Sequence, residues 1–210
     1  MGDGDLAIPQ TGGLVMLDKR VPYVGFYMHR RAGAKIASYP LPKGYRYTFY
    51  EAGDEHDWAR IETAVLEFDS EFAALLRFEQ EYMPYPDDLA RRCIFIANSK
   101  GEKVATSIAW WRYIKSERRP WLHWVAVDPA YQGLGLGKAI ISRIVELMVE
   151  LEGDVDFYLS TQTWSYKAVD IYKNNGFKPT PEKILYIDSS RNYRKALKIL
   201  KELEIERRHE

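Results

Sequence analysis

The chain has 210 residues, 46% of them apolar and 29% charged, which supplies enough core for one sizeable domain and excludes an intrinsically disordered chain. Its 30 Lys and Arg residues balance 30 Asp and Glu residues, so no global basic field exists to draw in nucleic acid or an anionic membrane. Cys93, the only cysteine, excludes an intrachain disulfide and a cysteine-built zinc site, and no metal centre is expected.

The acidic start, Met1 to Asp5, lacks the basic and then apolar character of a signal peptide. No apolar run approaches the ~20 residues that span a bilayer. A cytoplasmic protein is expected. Residues 1–44 hold several glycines and prolines and read as an N-terminal extension, with Val21 to Met28 as an extended, strand-forming arm. That arm has three open uses: extending the sheet, covering a substrate site, or exchanging between subunits.

A regular pattern begins at Tyr45, and residues 45–188 read as the main domain. Tyr45 to Tyr50 is a short strand. Asp54 can cap a helix to about Phe68, with Trp58, Ile61, Val65 and Phe68 at helical spacing. A second helix runs from Asp69 or Ser70 to about Tyr82, where Pro84 and Pro86 break it. Arg92 to Asn98 and Glu102 to Tyr113 form a hairpin around Asn98-Ser99-Lys100-Gly101, and its buried first strand makes Cys93 an inert thiol. The charged stretch Lys115 to Arg119 reads as a solvated loop, followed by a strand from Trp121 to Val127.

Leu136, Ile140, Ile144, Leu147 and Leu151 recur at three- and four-residue spacing, giving an amphipathic helix that stops before Gly153. Val155 to Thr161 is a strand, Ser165 to Asn175 a helix, and Phe177 opens a last sheet region to about Ile187. Residues 189–210 read as a C-terminal amphipathic helix with Tyr193, Leu197 and Leu200 on one face. That face either packs on its own domain or makes a homodimer contact. The element order implies an α/β fold: a mixed sheet covered by helices, with a parallel crossover at the glycine loop.

That loop reads Gln132-Gly133-Leu134-Gly135-Leu136-Gly137-Lys138 between a strand and a helix. Glycines allow positive φ and close backbone approach, and amides at a helix N-terminus favour anions. A Walker A loop is excluded because Ala139 stands where its hydroxyl residue is required. The Gly-x-Gly-x-x-Gly fingerprint fails at Lys138. A ligand-free tight turn remains open from the loop alone.

Gln132-x-x-Gly135-x-Gly137 resembles the cofactor motif of the GNAT N-acetyltransferase superfamily. The strand Leu122 to Pro129 before it, and Ala168-x-x-Ile171-Tyr172-x-x-x-Gly176-Phe177 after it, resemble that superfamily's central strand and second cofactor motif. The likeness covers roughly Tyr45 to Ile187. It implies a mostly antiparallel sheet with one splayed parallel strand pair, flanked by helices. It further implies acetyl-CoA as cosubstrate and transfer to a primary amine by direct attack in a ternary complex. The acceptor would be a small molecule or a protein amino group; a non-catalytic acyl-CoA sensor is the alternative.

By the same resemblance, a bulge frees backbone groups near Val125, Ala126 and Val127 for the pantetheine arm. The amides from Gln132 through Gly133, Leu134, Gly135, Leu136 and Gly137 to Lys138 would hold the pyrophosphate. Lys138 either adds charge there or is a solvated surface lysine. Tyr172 corresponds to the phenol that faces the CoA sulfur. His123 corresponds to a histidine used in proton removal, which its near-neutral titration suits. Ser165 stands where Asn is frequent; its hydroxyl is expected to cap the helix and to contact the cofactor. Thr161 to Trp164 is expected near the acceptor pocket, while Trp110, Trp111 and Trp121 read chiefly as packing.

Overall fold

The computed structural model describes residues 17–182, 184 and 189–207. The acidic start and any strand over 185–187 lie outside them. Seven strands form one sheet: β1 Gly25–Arg30, β2 Arg46–Phe49, β3 Cys93–Ala97, β4 Lys103–Ile114, β5 Glu117–Val127, β6 Phe157–Gln162 and β7 Phe177–Thr180. Their spatial order is β2-β3-β4-β5-β6-β1-β7. Every neighbouring pair is antiparallel except β5 and β6.

The helices are α1 Glu55–Ala64, α2 Glu71–Glu81, α3 Pro86–Arg92, α4 Leu136–Glu152, α5 Tyr166–Asn174 and α6 Ser189–Glu206. The apolar stripe of α4 and the inner side of α5 enter one large cluster. The opposite side of the sheet packs α1 and α2 through Trp58, Ile61, Phe78 and Tyr82, all fully buried. The sheet therefore has two apolar faces. β3, buried at every residue, shows this in its unbroken Cys93–Ala97 run.

The N-terminal arm supplies β1, which lies between β6 and β7, with Phe26, Tyr27 and Met28 essentially inaccessible. The residues leading into it are fixed to the turn after β6. Trp164 Nε1 donates to Val21 O at 2.6 Å, and Val24 N donates to Thr163 Oγ1 at 2.9 Å. In α6, Ala196 and Leu200 are buried whereas Leu197 is exposed, so the packed stripe follows Tyr193, Ala196, Leu200 and Leu203. The helix packs on β1 and β7 of its own chain.

Two local readings need correction, and one helix was not foreseen. Pro84 and Pro86 follow the end of α2, as expected, and Pro86 also begins α3, because a first-turn proline sacrifices no helical hydrogen bond; Asp87 and Asp88 then Arg91 and Arg92 match the helix dipole. The stretch Lys115 to Arg119 is not a loop. Lys115 and Ser116, at φ 48° and 71°, make a two-residue turn that pairs Ile114 with Glu117. The last strand stops at Thr180, before Pro181, and Pro179 is tolerated because β7 is the sheet edge.

Candidate active site

β5 creates the site by leaving its regular register. Thr106 pairs with Ala126 and Ile108 with His123, so Trp124 and Val125 together oppose Ser107. This is a two-against-one bulge, with Trp124 held at φ 46°. The extra residue reverses the alternation. His123 meets Tyr82 on the α1–α2 side, where Trp124 and Ala126 also pack, while Val125 and Val127 join Leu122 on the α4 side. Simple alternation from His123 would have put it with Val125 and Val127.

Parallel pairing of β5 with β6 is confined to Trp121–Tyr158 and Leu122–Leu159. Beyond Leu122 the strands diverge, and a narrow crevice of about 60 Å³ opens between Val125 and the Ser160–Gln162 end of β6. Tyr172, Ser165 and Ala168 from the α5 side line it, as do Val65 and Glu67 beyond the end of α1. The crevice thus passes between elements that cover opposite faces of the sheet.

The glycine loop continues from β5. Asp128 accepts from Ala130 N at 3.0 Å, shaping a 3-10 turn over Pro129–Tyr131. Gln132 Nε2 then donates to Val127 O at 2.9 Å, tying the loop to the strand end. Gly133 and Gly135 lie at φ 80° and 85°, and a Cβ on either would meet no protein atom within 4 Å. At Gly137 a Cβ would stand 3.8 Å from Val127 Cγ2, so the helix start runs close to the strand. These residues, Leu136, Lys138, Lys167 and Ile171 line a second, larger crevice on the α4–α5 side. Leu134 is half exposed and Ala126 is packed on the opposite face; neither side chain lines a crevice.

Tyr172 is buried, and burial together with Glu67 and Glu62 pushes its phenol pKa up, keeping the proton on Oη. Ser165 lines the same crevice but its hydroxyl does not cap α5, contrary to expectation. The helix is entered through a 3-10 turn instead, which leaves Ser165 out of capping geometry. His123 sits apart from this crevice. It is 5% exposed, its Nδ1 is 2.7 Å from Tyr82 Oη and 3.5 Å from Glu81 Oε1, and its Nε2 has no partner among the described residues. Burial, then Arg112 and Arg77, hold its pKa well below the ordinary 6.5, so the imidazole is neutral.

Two carboxyls escaped the sequence reading. α1 stops at Ala64, and Leu66 at φ 69° turns the chain so that Glu67 N bonds Glu62 O at 3.1 Å. Glu67 is exposed at the crevice mouth, yet its carboxylate is desolvated enough to raise its pKa, and Gln162 Nε2 donates to it at 3.2 Å. Glu62 is 1% exposed with Oε1 unpartnered among the described residues, and burial raises its pKa further. A charge at position 62, inside the stripe of Trp58, Ile61 and Val65, was the one available signal. Assigning a helix through Phe68 concealed Glu67.

The model of the acetyltransferase (GNAT) family matches residues 44–177. Among curated relatives, a chloroplastic GCN5-related N-acetyltransferase 2 of Arabidopsis thaliana is 39% identical over 61 residues, 29% of this chain and 22% of the relative. A thialysine N-epsilon-acetyltransferase of Sus scrofa is 35% identical over 65 residues, 31% of this chain and 38% of the relative. The chain therefore aligns with well under half the length of these relatives. A GCN5-related N-acetyltransferase structure from Sphaerobacter thermophilus superposes with a TM-score of 0.59 at 18% identity, covering 77% of this chain and 50% of that one, a likeness of fold. With the family model spanning the bulged strand, the glycine loop and the Tyr172 helix, the chain belongs to the GNAT acetyltransferase family.

Proposed function

We propose that the chain is an N-acetyltransferase that takes acetyl from acetyl-CoA and passes it to a primary amine by direct attack in a ternary complex. The observation that carries this reading is the opening between β5 and β6, where Val125 and Tyr172 meet one crevice that adjoins the glycine loop.

The residues present fit an acyl-CoA. Gly133 and Gly135 leave open space where any side chain would project, at the N-terminus of the 17-residue helix α4. Lys138 and Lys167 add positive charge beside it. The bound cosubstrate supplies an acyl group activated as a thioester. Backbone amides from Gly133 to Lys138 hold its pyrophosphate, and the Val125–Val127 edge pairs with its pantetheine arm. An amide at the bulge stabilises negative charge on the acyl oxygen. Tyr172 keeps its proton at neutral pH and holds it at the crevice, ready for the departing sulfur.

The acceptor is a small amine or a protein amino group. A histone acetyltransferase TAP1 of Glycine max, 38% identical over 61 residues, is similar to the chain, so peptides belong among the candidates. The test is thiol release from acetyl-CoA across n-butylamine, polyamines, amino acids and lysine peptides, with CoA binding measured in parallel. Release with one acceptor class supports the transferase. Tight CoA binding with no release from any amine sinks it in favour of a sensor.

A further inference from the structure

Resting on that reading, we propose that Glu67 is the catalytic base: its carboxylate receives the proton of a primary aliphatic ammonium entering beside it. Geometry supports Glu67 over the other titratable groups. It lines the same crevice as Tyr172, but from the α1 side, so the two groups flank the place where the strands part. Gln162 Nε2, at 3.2 Å, fixes the carboxylate's direction from β6. His123 lines neither crevice, and Tyr82 engages its Nδ1.

The groups acting on Glu67 suit a base. Burial, then the charge of Glu67, disfavours ionisation of Glu62 in α1, and burial keeps the proton on Tyr172 in α5, whereas Lys19 in the N-terminal segment favours the Glu67 carboxylate. Negative charge at the mouth is therefore favoured on Glu67 over Glu62. Desolvation raises the Glu67 pKa toward that of a useful base, while exposure at the mouth lets the proton leave to solvent afterwards.

The transfer balances. An ammonium proton moves to Glu67, and the freed nitrogen lone pair forms the C–N bond to the acyl carbon. The C–S pair departs on sulfur, which takes the Tyr172 proton. The phenolate recovers a proton shed by the new amide nitrogen, and Glu67 releases its proton to water. An acceptor with a carboxylate next to its amine is disfavoured, because that charge would face Glu67.

The full-length chain tests this in two ways. First, ¹³C carboxyl titration should show both Glu62 and Glu67 titrating above the ordinary glutamate range, with one of those two signals absent from Glu67→Gln. Second, Glu67→Gln should lower kcat with n-butylamine or a lysine peptide about 10²-fold or more near neutral pH and move the acid limb of the pH–rate profile up toward the acceptor amine's own pKa. CoA affinity should be unchanged, and Glu67→Asp should restore part of the rate. A Glu67 that titrates normally, or a Glu67→Gln variant whose acid limb stays where the wild type's lies, overturns the assignment. The same displacement of that limb in His123→Asn instead would also overturn it. A wild type silent with every amine overturns the transferase reading itself, whereas an active wild type matched by Glu67→Gln overturns only the role of Glu67.

Discussion

Tyr82 Oη and His123 Nδ1 lie 2.7 Å apart in the core between α2 and β5, with Arg112 and Arg77 close enough to oppose protonation of the imidazole. Below a pH of about 6.5 the unfolded chain takes up a proton that the folded chain refuses. This contribution to stability is therefore full above neutrality and lost as pH falls from there toward the depressed folded-state value. His123→Asn should be less stable than wild type at pH 7.5 because it leaves a gap, yet lose less stability between pH 7.5 and 5.5. Urea unfolding at the two pH values checks this.

Tyr172→Phe removes the crevice phenol while keeping the ring against Phe177. The expected result is a fall in kcat of about 10²-fold with the CoA dissociation constant altered less than about twofold. Single-turnover thiol release alongside calorimetry separates the two. A variant weakened only in CoA affinity would make Tyr172 a wall of the site rather than a proton donor.

Gly135→Asp puts a carboxylate where the pyrophosphate is expected and forces a side chain onto φ 85°. Its Cβ meets no protein atom within 4 Å, so folding should suffer only the backbone penalty, roughly 1–2 kcal/mol. CoA binding should vanish from calorimetry while the unfolding transition stays cooperative. Normal CoA affinity in this variant would refute the loop assignment.

Gly176 differs from Gly135 in what surrounds it. At φ 85°, a Cβ here would fall 2.8 Å from Ala34 Cβ and 3.1 Å from Lys35 O, contacts with the segment following β1. Gly176→Ala should cost at least about 2 kcal/mol, through strain and overpacking together. Gly33→Ala, at φ 75° with open space around it, should cost about half as much. Denaturant midpoints of the two variants give the comparison.

Much of the fold was legible because its signals are local. The apolar spacing of α4 was readable within a few residues, as were the Asn98–Gly101 turn and the continuous run of β3. The glycine loop was equally plain, since positive φ at Gly133 and Gly135 is a property of the backbone itself. Two-residue turns such as Lys115-Ser116 were hidden because neither residue carries the usual glycine or asparagine cue. The packed stripe of α6 was misjudged by one residue, as its partner surface on β1 and β7 selected Ala196 over the larger Leu197.

By itself, the sequence determined the order of elements around the loop and the strand–glycine loop–helix geometry of Gln132–Lys138, because each follows from neighbours in the chain, whereas the candidacy of Tyr172 came from the family resemblance. Only the tertiary structure decided where β1 belongs, since strand pairing depends on partners more than a hundred residues away. It likewise decided which side chains share the crevice. One added residue in β5 sends His123 to the α1–α2 side and Val125 to the α4 side, and one left-handed residue after α1 brings Glu67 to the mouth. A bulge and a turn each reverse side-chain direction without leaving a periodic mark in the sequence, so which side chains share the crevice had to be read from the folded chain.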